Sequence, residues 1–363
     1  MKVLVFIEST MTSRFWEAAV PLLRERGIDV WFASLRKRGP LSDELERRGI
    51  AVHTLGAETS RDYPLAAWRL RRLVQQERFD IVHACEWIPA AVSGVALSLL
   101  KKPLRVFHRQ HIAPPDKNRI FHDLANRTSH VTMACSLATK TFAHESDGFA
   151  AERIYVAYNG IVPMRAVAQA EVDAVRQQLQ IPADAGVISM VARLRREKGH
   201  ATLFEAADRV ARASKKPLHV VVTGSGVDQA AIEQAARSYE TFTTHFTGHQ
   251  EDVALWFSVG DVVAMPSEIE AFGIAAVEAM SCGKALIASA VGGLVEVIED
   301  GVSGILVPPR DPEGLGEAIA RVLTNPPFAR ELGDHARERA HRLFSMEAMV
   351  DGWIETYRAA TGV

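Results

Sequence analysis

The chain has 363 residues, 48% of them hydrophobic and 24% charged, with a formal net charge of −2. That length suits two domains of ordinary size, and the balance excludes a disordered tail or a coiled coil. No apolar run approaches the roughly 20 residues needed to cross a bilayer, and three cysteines without paired spacing, Cys85, Cys135 and Cys282, read as reduced cytosolic thiols.

The charge is uneven. Residues Met1 to Pro163 hold 23 basic and 17 acidic side chains, against 19 and 27 in the remainder. A basic amino-terminal half suits an anionic partner, either a membrane surface or a phosphorylated substrate, and ordinary solvated surface charge explains the same numbers.

In chain order, "MKVLVFIEST" reads as a first strand rather than a signal peptide. "FWEAAVPLLRERG" is a helix ending at Gly27, "IDVWFAS" a strand, and "LSDELERRG" a helix ending at Gly49. "IAVHTL", "FDIVHACE", "LRVFHRQH" and "HVTMACS" continue as strands, with helical stretches such as "PLAAWRLRRLVQQE" between them. After "IYVAYNGIVP" the alternation restarts with strands "GVISMVARL", "PLHVVVTGSG", "TTHFTGH", "DVVAMPS", "KALIASA" and "SGILVPP", and helices "HATLFEAADRVARAS" and "PEGLGEAIARVLTN". Short apolar strands alternating with amphipathic helices predict parallel sheets covered on both faces. The linker falls around Asn159 to Ala170, and the closing "FSMEAMVDGWIETYRAA" is an amphipathic helix. Two doubly wound domains in tandem are expected to bind ligands in a cleft at the carboxyl ends of their strands.

"MPSEIEAFGIAAVEAMSCGKALIAS" carries Glu270 and Glu278 around a Phe-Gly pair, where a strand gives way to a helix capped by Gly283. The free N–H groups of the helix start at Gly273 and Ile274 attract phosphate, and glycine allows close approach. A ligand with an anionic middle and hydroxyls on both sides, such as a nucleotide sugar, matches two carboxylates so spaced. Two acidic residues eight apart are common by chance, but the surrounding pattern is not. From "GHQEDVALWFSVGD" through "RDPEGLGEAI" the sequence resembles the carboxy-terminal signature of the retaining glycosyltransferases of family 4. The resemblance covers Glu270 and Glu278, Phe272-Gly273, Gly283-Lys284, Gly292-Gly293, Glu296, Gly301 and Gly304.

That resemblance implies an α/β chain of the GT-B fold, with two Rossmann-like domains facing a central cleft. Residues 1–163 with 345–363 would form the acceptor domain and 164–344 the donor domain, the last helix returning to the first. It implies transfer of a sugar, with retention, from a nucleoside diphosphate to an acceptor hydroxyl in bacterial cell-envelope glycan or glycolipid synthesis. "VARLRREKGH" is similar to the stretch whose Arg and Lys hold the donor diphosphate, which maps onto Arg193 and Lys198, with Ala192 in place of the usual glycine. A forked guanidinium and an ammonium suit a departing diphosphate; Arg195, Arg196 and Glu268 read as solvated charges. Gly273 and Ile274 are expected at the diphosphate, Gly224, Gly226, His249 and Glu278 at the nucleotide, and Glu270 at the transferred sugar. A histidine at the end of "LRVFHRQH" would lie beside that sugar, His111 being preferred and His108 the second choice.

The chain departs from the family in "ESTMTSRFWEAA", which lacks the usual Gly-Gly loop, and in "HAC", where Cys85 replaces a frequent histidine. There is no Asp-x-Asp, no His-Glu-x-x-His and no cysteine cluster, so no metal and no cofactor is expected beyond the sugar nucleotide as co-substrate. The expected partners are that donor and a glycan or lipid-linked acceptor, without nucleic acid. The expected place is the cytoplasm, extending to contact with the inner face of the plasma membrane. An inactive nucleotide-sugar-binding subunit and a nucleotide-sugar epimerase are the two other readings of the same motifs.

Overall fold

The computed structural model describes residues 1–10, 14–110 and 119–362, the side chain of Arg14 excepted. The chain divides into two compact units, Met1–Val162 with Met346–Val363, and Pro163–Ser345.

The first unit runs β1 (Lys2–Ile7), α1 (Arg14–Glu25), β2 (Asp29–Ser34), α2 (Pro40–Arg47), β3 (Val52–Thr54), α3 (Tyr63–Glu77), β4 (Ile81–Cys85), α4 (Trp87–Leu97), β5 (Leu104–Arg109), α5 (Arg119–Thr128), β6 (Val131–Ala134), α6 (Leu137–Glu145) and β7 (Ile154–Val156). The second runs α7 (Gln169–Gln178), β8 (Gly186–Val191), α8 (His200–Ala213), β9 (Leu218–Thr223), α9 (Gln229–Ala236), β10 (Thr243–Gly248), α10 (Val253–Val259), β11 (Val262–Met265), α11 (Ile274–Ser281), β12 (Leu286–Ser289), α12 (Leu294–Val297), β13 (Ile305–Val307), α13 (Pro312–Thr324) and α14 (Pro326–Leu343). The final helix, α15 (Met346–Thr361), belongs to the first unit.

The sheets are ordered β3-β2-β1-β4-β5-β6-β7 and β10-β9-β8-β11-β12-β13. Every strand pair is parallel, as the near-continuous apolar runs require of sheets covered on both faces. All of β9 is buried, whereas the residues of the edge strand β10 are half-buried or exposed. Both sheets reverse direction of growth beside their first strand, between β1 and β4 and between β8 and β11, and such switch points are where open α/β sheets take ligands.

One face of the first sheet packs Leu4, Phe6, Val82, Ala84 and Phe107 against α3 and α4. The other packs Val3, Val5, Ile81 and Val106 against Trp16 of α1 and Met346, Met349, Val350, Trp353, Ile354 and Tyr357 of α15. The apolar stripe of that last helix is therefore core. The strand expected in "DVVAMPS" stops at Met265, because Pro266 has no N–H to give a ladder.

Candidate active site

In the second unit, the loops leaving the sheet hold one another through glycines. Gly199, after β8, has φ +77°, and a Cβ there would lie 1.9 Å from the carbonyl oxygen of Pro266. A Cβ on Gly224 would lie 2.0 Å from that of Ala192, and one on Gly226 2.2 Å from that of Leu194. Gly293 donates its N–H to Glu270 O (3.0 Å), and a Cβ there would press on the Phe272 backbone at 2.5 Å. These contacts give the glycine pattern a packing cause independent of any ligand.

That frame fixes the loop between β11 and α11. Gly273 caps α11 with φ +100°, a conformation that a side chain rarely adopts, and a Cβ would meet Leu294 Cδ2 at 2.7 Å. The first N–H groups of α11, at Ile274 and after, have no intrahelical acceptor. Beside this helix start Lys198 Nζ donates to Glu270 Oε2 at 2.6 Å, with side chains only 13% and 15% exposed. The two expected sites, diphosphate cation and sugar carboxylate, are thus joined in one ion pair. Sequence reasoning assigned both residues but missed their contact; they lie 72 positions apart, and only the adjacency of β8 and β11 joins them.

Arg193 is exposed, and among the described residues its guanidinium has no carboxylate partner. Arg195, read as solvated, reaches Glu197 at 3.4 Å. Glu268, read likewise, is instead ion-paired with Arg310. Glu278 stands half-buried on α11 in line with exposed Ile274, four residues earlier. Burial pushes its carboxyl up to about 7. His249 is exposed just beyond Gly248, whose carbonyl accepts the Gly224 N–H at 2.8 Å, so the turn after β9 and the end of β10 are tied beside it.

In the first unit the arrangement differs. His111 lies outside the described residues. His108 is fully buried against His83 and Trp353, ring centroids 5.0 and 5.4 Å away, and burial pulls its imidazole down to about 4. Arg109, next in the chain, is buried too; it pairs with Asp147 and approaches His122 Nε2 at 3.2 Å, fixing the exit of β5. Where the family carries its Gly-Gly loop, buried Thr10 accepts from Gly39 N and from Ser42 Oγ, both at 2.8 Å. Ser9 is exposed, and residues 11–13 lie outside the described residues.

Comparison with known proteins places the chain in a class. Anabaena HepE in complex with UDP-glucose superposes with a TM-score of 0.80 over 98% of this chain and 99% of its own, at 23% identity. WaaG, a glycosyltransferase involved in lipopolysaccharide biosynthesis, gives 0.71 over 99% and 100%, at 17% identity. The fold is GT-B. Residues 13–165 match Glycosyltransferase Family 4, and residues 171–339 match the glycosyl transferases group 1. A D-inositol 3-phosphate glycosyltransferase of Geodermatophilus obscurus is 32% identical over 320 residues, 80% of this chain and 69% of that protein. Another, from Saccharomonospora viridis, is 35% identical over 198 residues, so the match spans 52% of this chain and 46% of the relative. The chain belongs to glycosyltransferase family 4.

Proposed function

We propose that the chain transfers a sugar, with retention of configuration, from a nucleoside diphosphate sugar to the hydroxyl of an anionic or lipid-linked acceptor of the bacterial cell envelope. The observation that carries this reading is the Lys198–Glu270 pair at the start of α11, with the Arg193 guanidinium, which has no carboxylate partner among the described residues, close by in sequence. Donor binding moves Lys198 from Glu270 to the diphosphate, where it joins Arg193 and the N–H groups of Gly273 and Ile274 in stabilising the leaving charge. Released from its cation, Glu270 turns to the sugar hydroxyls as the ring gains oxocarbenium character. The departing diphosphate, on the face that the acceptor enters, takes the acceptor proton. Glu278 holds the ribose, with Gly224, Gly226 and His249 around the base. His111 keeps the role at the sugar that its motif suggests, and the burial of His108 gives that side chain a different task. No metal is required by these steps.

The acceptor reading draws on the basic first unit and on relatives whose names specify a phosphorylated polyol. A surface patch adds to it. Trp68, Val95, Leu99 and Ile120 are 56%, 54%, 84% and 74% exposed, and Val95 lines a cavity of about 300 Å³ together with Tyr63, Ala67, Phe121 and Leu124. Arg72, Lys101, Lys102 and Arg119 are exposed on the same segments, and apolar anchors with basic neighbours suit an anionic bilayer. Among the described residues, no helix is long and apolar enough to cross a membrane.

The test is turnover with a panel of nucleoside diphosphate sugars and phosphorylated polyol or lipid acceptors, following nucleoside diphosphate release and the anomeric configuration of the product. A product with the donor's configuration supports the reading, and an inverted one overturns it. Binding without turnover favours the inactive subunit, and donor conversion without an acceptor favours the epimerase.

A further inference from the structure

Beneath α15, at the carboxyl end of the first sheet, three metal-ligating side chains converge. His83 and Cys85 alternate onto one face of β4, and the parallel register pairs Cys85 with His108 of β5 on that same face. One ligand atom from each lies within 4.8 Å of the others. His83 Nδ1 is 2.5 Å from the hydroxyl of Tyr357, which leaves Nε2 as its free ring nitrogen. Among the described residues, that Nε2 and both nitrogens of His108 are buried without a hydrogen-bond partner.

Two imidazoles closed off from water with three unmatched nitrogens form an unfavourable arrangement unless something binds them. The rings of Trp16 and Trp353 pack edge-on to His83, and Trp353 Nε1 is itself buried without forming a hydrogen bond to either imidazole. We propose that His83, Cys85 and His108 form a structural site for one thiophilic, imidazole-binding cation of the zinc class. In the ligating tautomer His83 Nδ1–H donates to the Tyr357 hydroxyl oxygen, and Nε2 presents its lone pair, the outer hydrogen bond that metal-bound histidines usually make. Cys85 binds as thiolate and releases its proton to solvent. Tetrahedral bonding puts such ligand atoms about 3.4–3.6 Å apart, so the cluster closes by ~1 Å. Cys85 as a whole is only partly buried, and a tetrahedral ion would take one ligand beyond these three. The ion would tie β4 to β5 and, through Tyr357, the last helix to both. All three ligands and Tyr357 belong to the first unit.

Cobalt titration of the full chain, prepared without a histidine tag, tests it. One equivalent of Co2+ should give tetrahedral ligand-field absorption and a sulfur-to-cobalt charge-transfer band, both displaced by Zn2+, and Zn2+ should raise the unfolding midpoint. Cys85→Ser should remove the charge-transfer band, and His108→Gln should weaken binding at least about tenfold. Cys85→His should keep the ligand-field bands while losing the charge-transfer band. Cys282→Ser should change neither. Tyr357→Phe, which keeps the ring packing, should weaken Co2+ binding about tenfold. Absence of tetrahedral bands in the folded wild-type chain overturns the proposal, as do bands that survive Cys85→Ser unchanged.

Discussion

The two sheets share one strand order around their switch points, yet the loops at their carboxyl ends are secured by opposite chemistry. In the second unit backbone meets backbone: Gly199 on Pro266, Gly224 on Ala192, Gly293 on Phe272. In the first, side chains do this work: Thr10 with Gly39 and Ser42, Arg36 with Glu8 at 2.8 Å, and Arg109 with Asp147 and His122. Glycine contacts let backbone approach backbone and fix a loop without spending a polar side chain, the N–H groups of Gly199, Gly224 and Gly293 going to Arg196 O, Gly248 O and Glu270 O. Side-chain locks fill the same space with polar side chains that are spent on holding the loop. The unit with the recurrent glycines is accordingly the one whose site can be read.

The largest effect that would sharpen this contrast lies in the backbone-framed site. Lys198→Ala and Arg193→Ala should each lower turnover by at least about a hundredfold, on the scale of one lost oxyanion donor. Because Lys198 and Glu270 are paired, Lys198→Ala with Glu270→Gln should cost far less than the product of the single losses. Full additivity in steady-state kinetics would show that the pair does not act as a unit.

Stability comes next. Gly273→Ala should destabilise the chain by about 2–3 kcal/mol, from the φ penalty and the contact with Leu294. Thr10→Val keeps the shape of the side chain but takes the hydroxyl from Gly39 N and Ser42 Oγ, and should cost about 1–2 kcal/mol. Denaturant melts of both variants compare the two kinds of lock directly. An unaffected Gly273→Ala would break the contrast.

A smaller effect concerns pH. Burial raises the Glu278 carboxyl from 4.5 to about 7 in the folded chain, so its protonated form stabilises the fold below the unfolded pKa. That contribution is lost as pH rises through about 7. Donor binding runs the other way, since ribose hydroxyls donate to the ionised carboxylate. Affinity for a nucleoside diphosphate sugar, whose diester phosphates do not titrate here, should rise about tenfold from about pH 6 to about pH 8. Glu278→Gln should abolish that slope and weaken donor binding, raising KM more than it lowers kcat. Calorimetry at both pH values checks it.

What the sequence made legible follows the same division. Strands in both units stood out as apolar runs bounded by turns, and Glu270, Gly273 and Glu278 stood out because they lie within a longer pattern that resembles the family's carboxy-terminal signature. The contact between Lys198 and Glu270 did not, since it depends on which strands become neighbours. Nor did the burial of His108. Two histidines three positions apart at a strand end look alike in sequence, and only the register of Cys85 with His108 turns one of them under α15. Thr10 and Asp147 gave no signal at all, because a buried threonine or a paired aspartate has the composition of any loop.

The smallest predicted effect separates two carboxylates within one loop. Glu268 and Glu270 sit two positions apart, and each has its own cation: Arg310 for the first, Lys198 for the second. The first pair is open to water on its arginine side, 74% exposed, and screened pairs of this kind contribute about 0.2–1 kcal/mol. The second is largely shielded, with its ammonium poised at the start of α11. Glu268→Gln should therefore leave kcat within about twofold and stability within about 0.5 kcal/mol, since its backbone N–H still bonds Glu197 O at 2.8 Å and holds the loop. Glu270→Gln, with almost the same volume and the same loop, should lower kcat strongly while leaving KM for the donor nearly unchanged. Measured side by side, the two variants separate position in the loop from chemistry at the sugar. Equal losses in both would mean that loop conformation, rather than the Glu270 carboxylate, limits turnover.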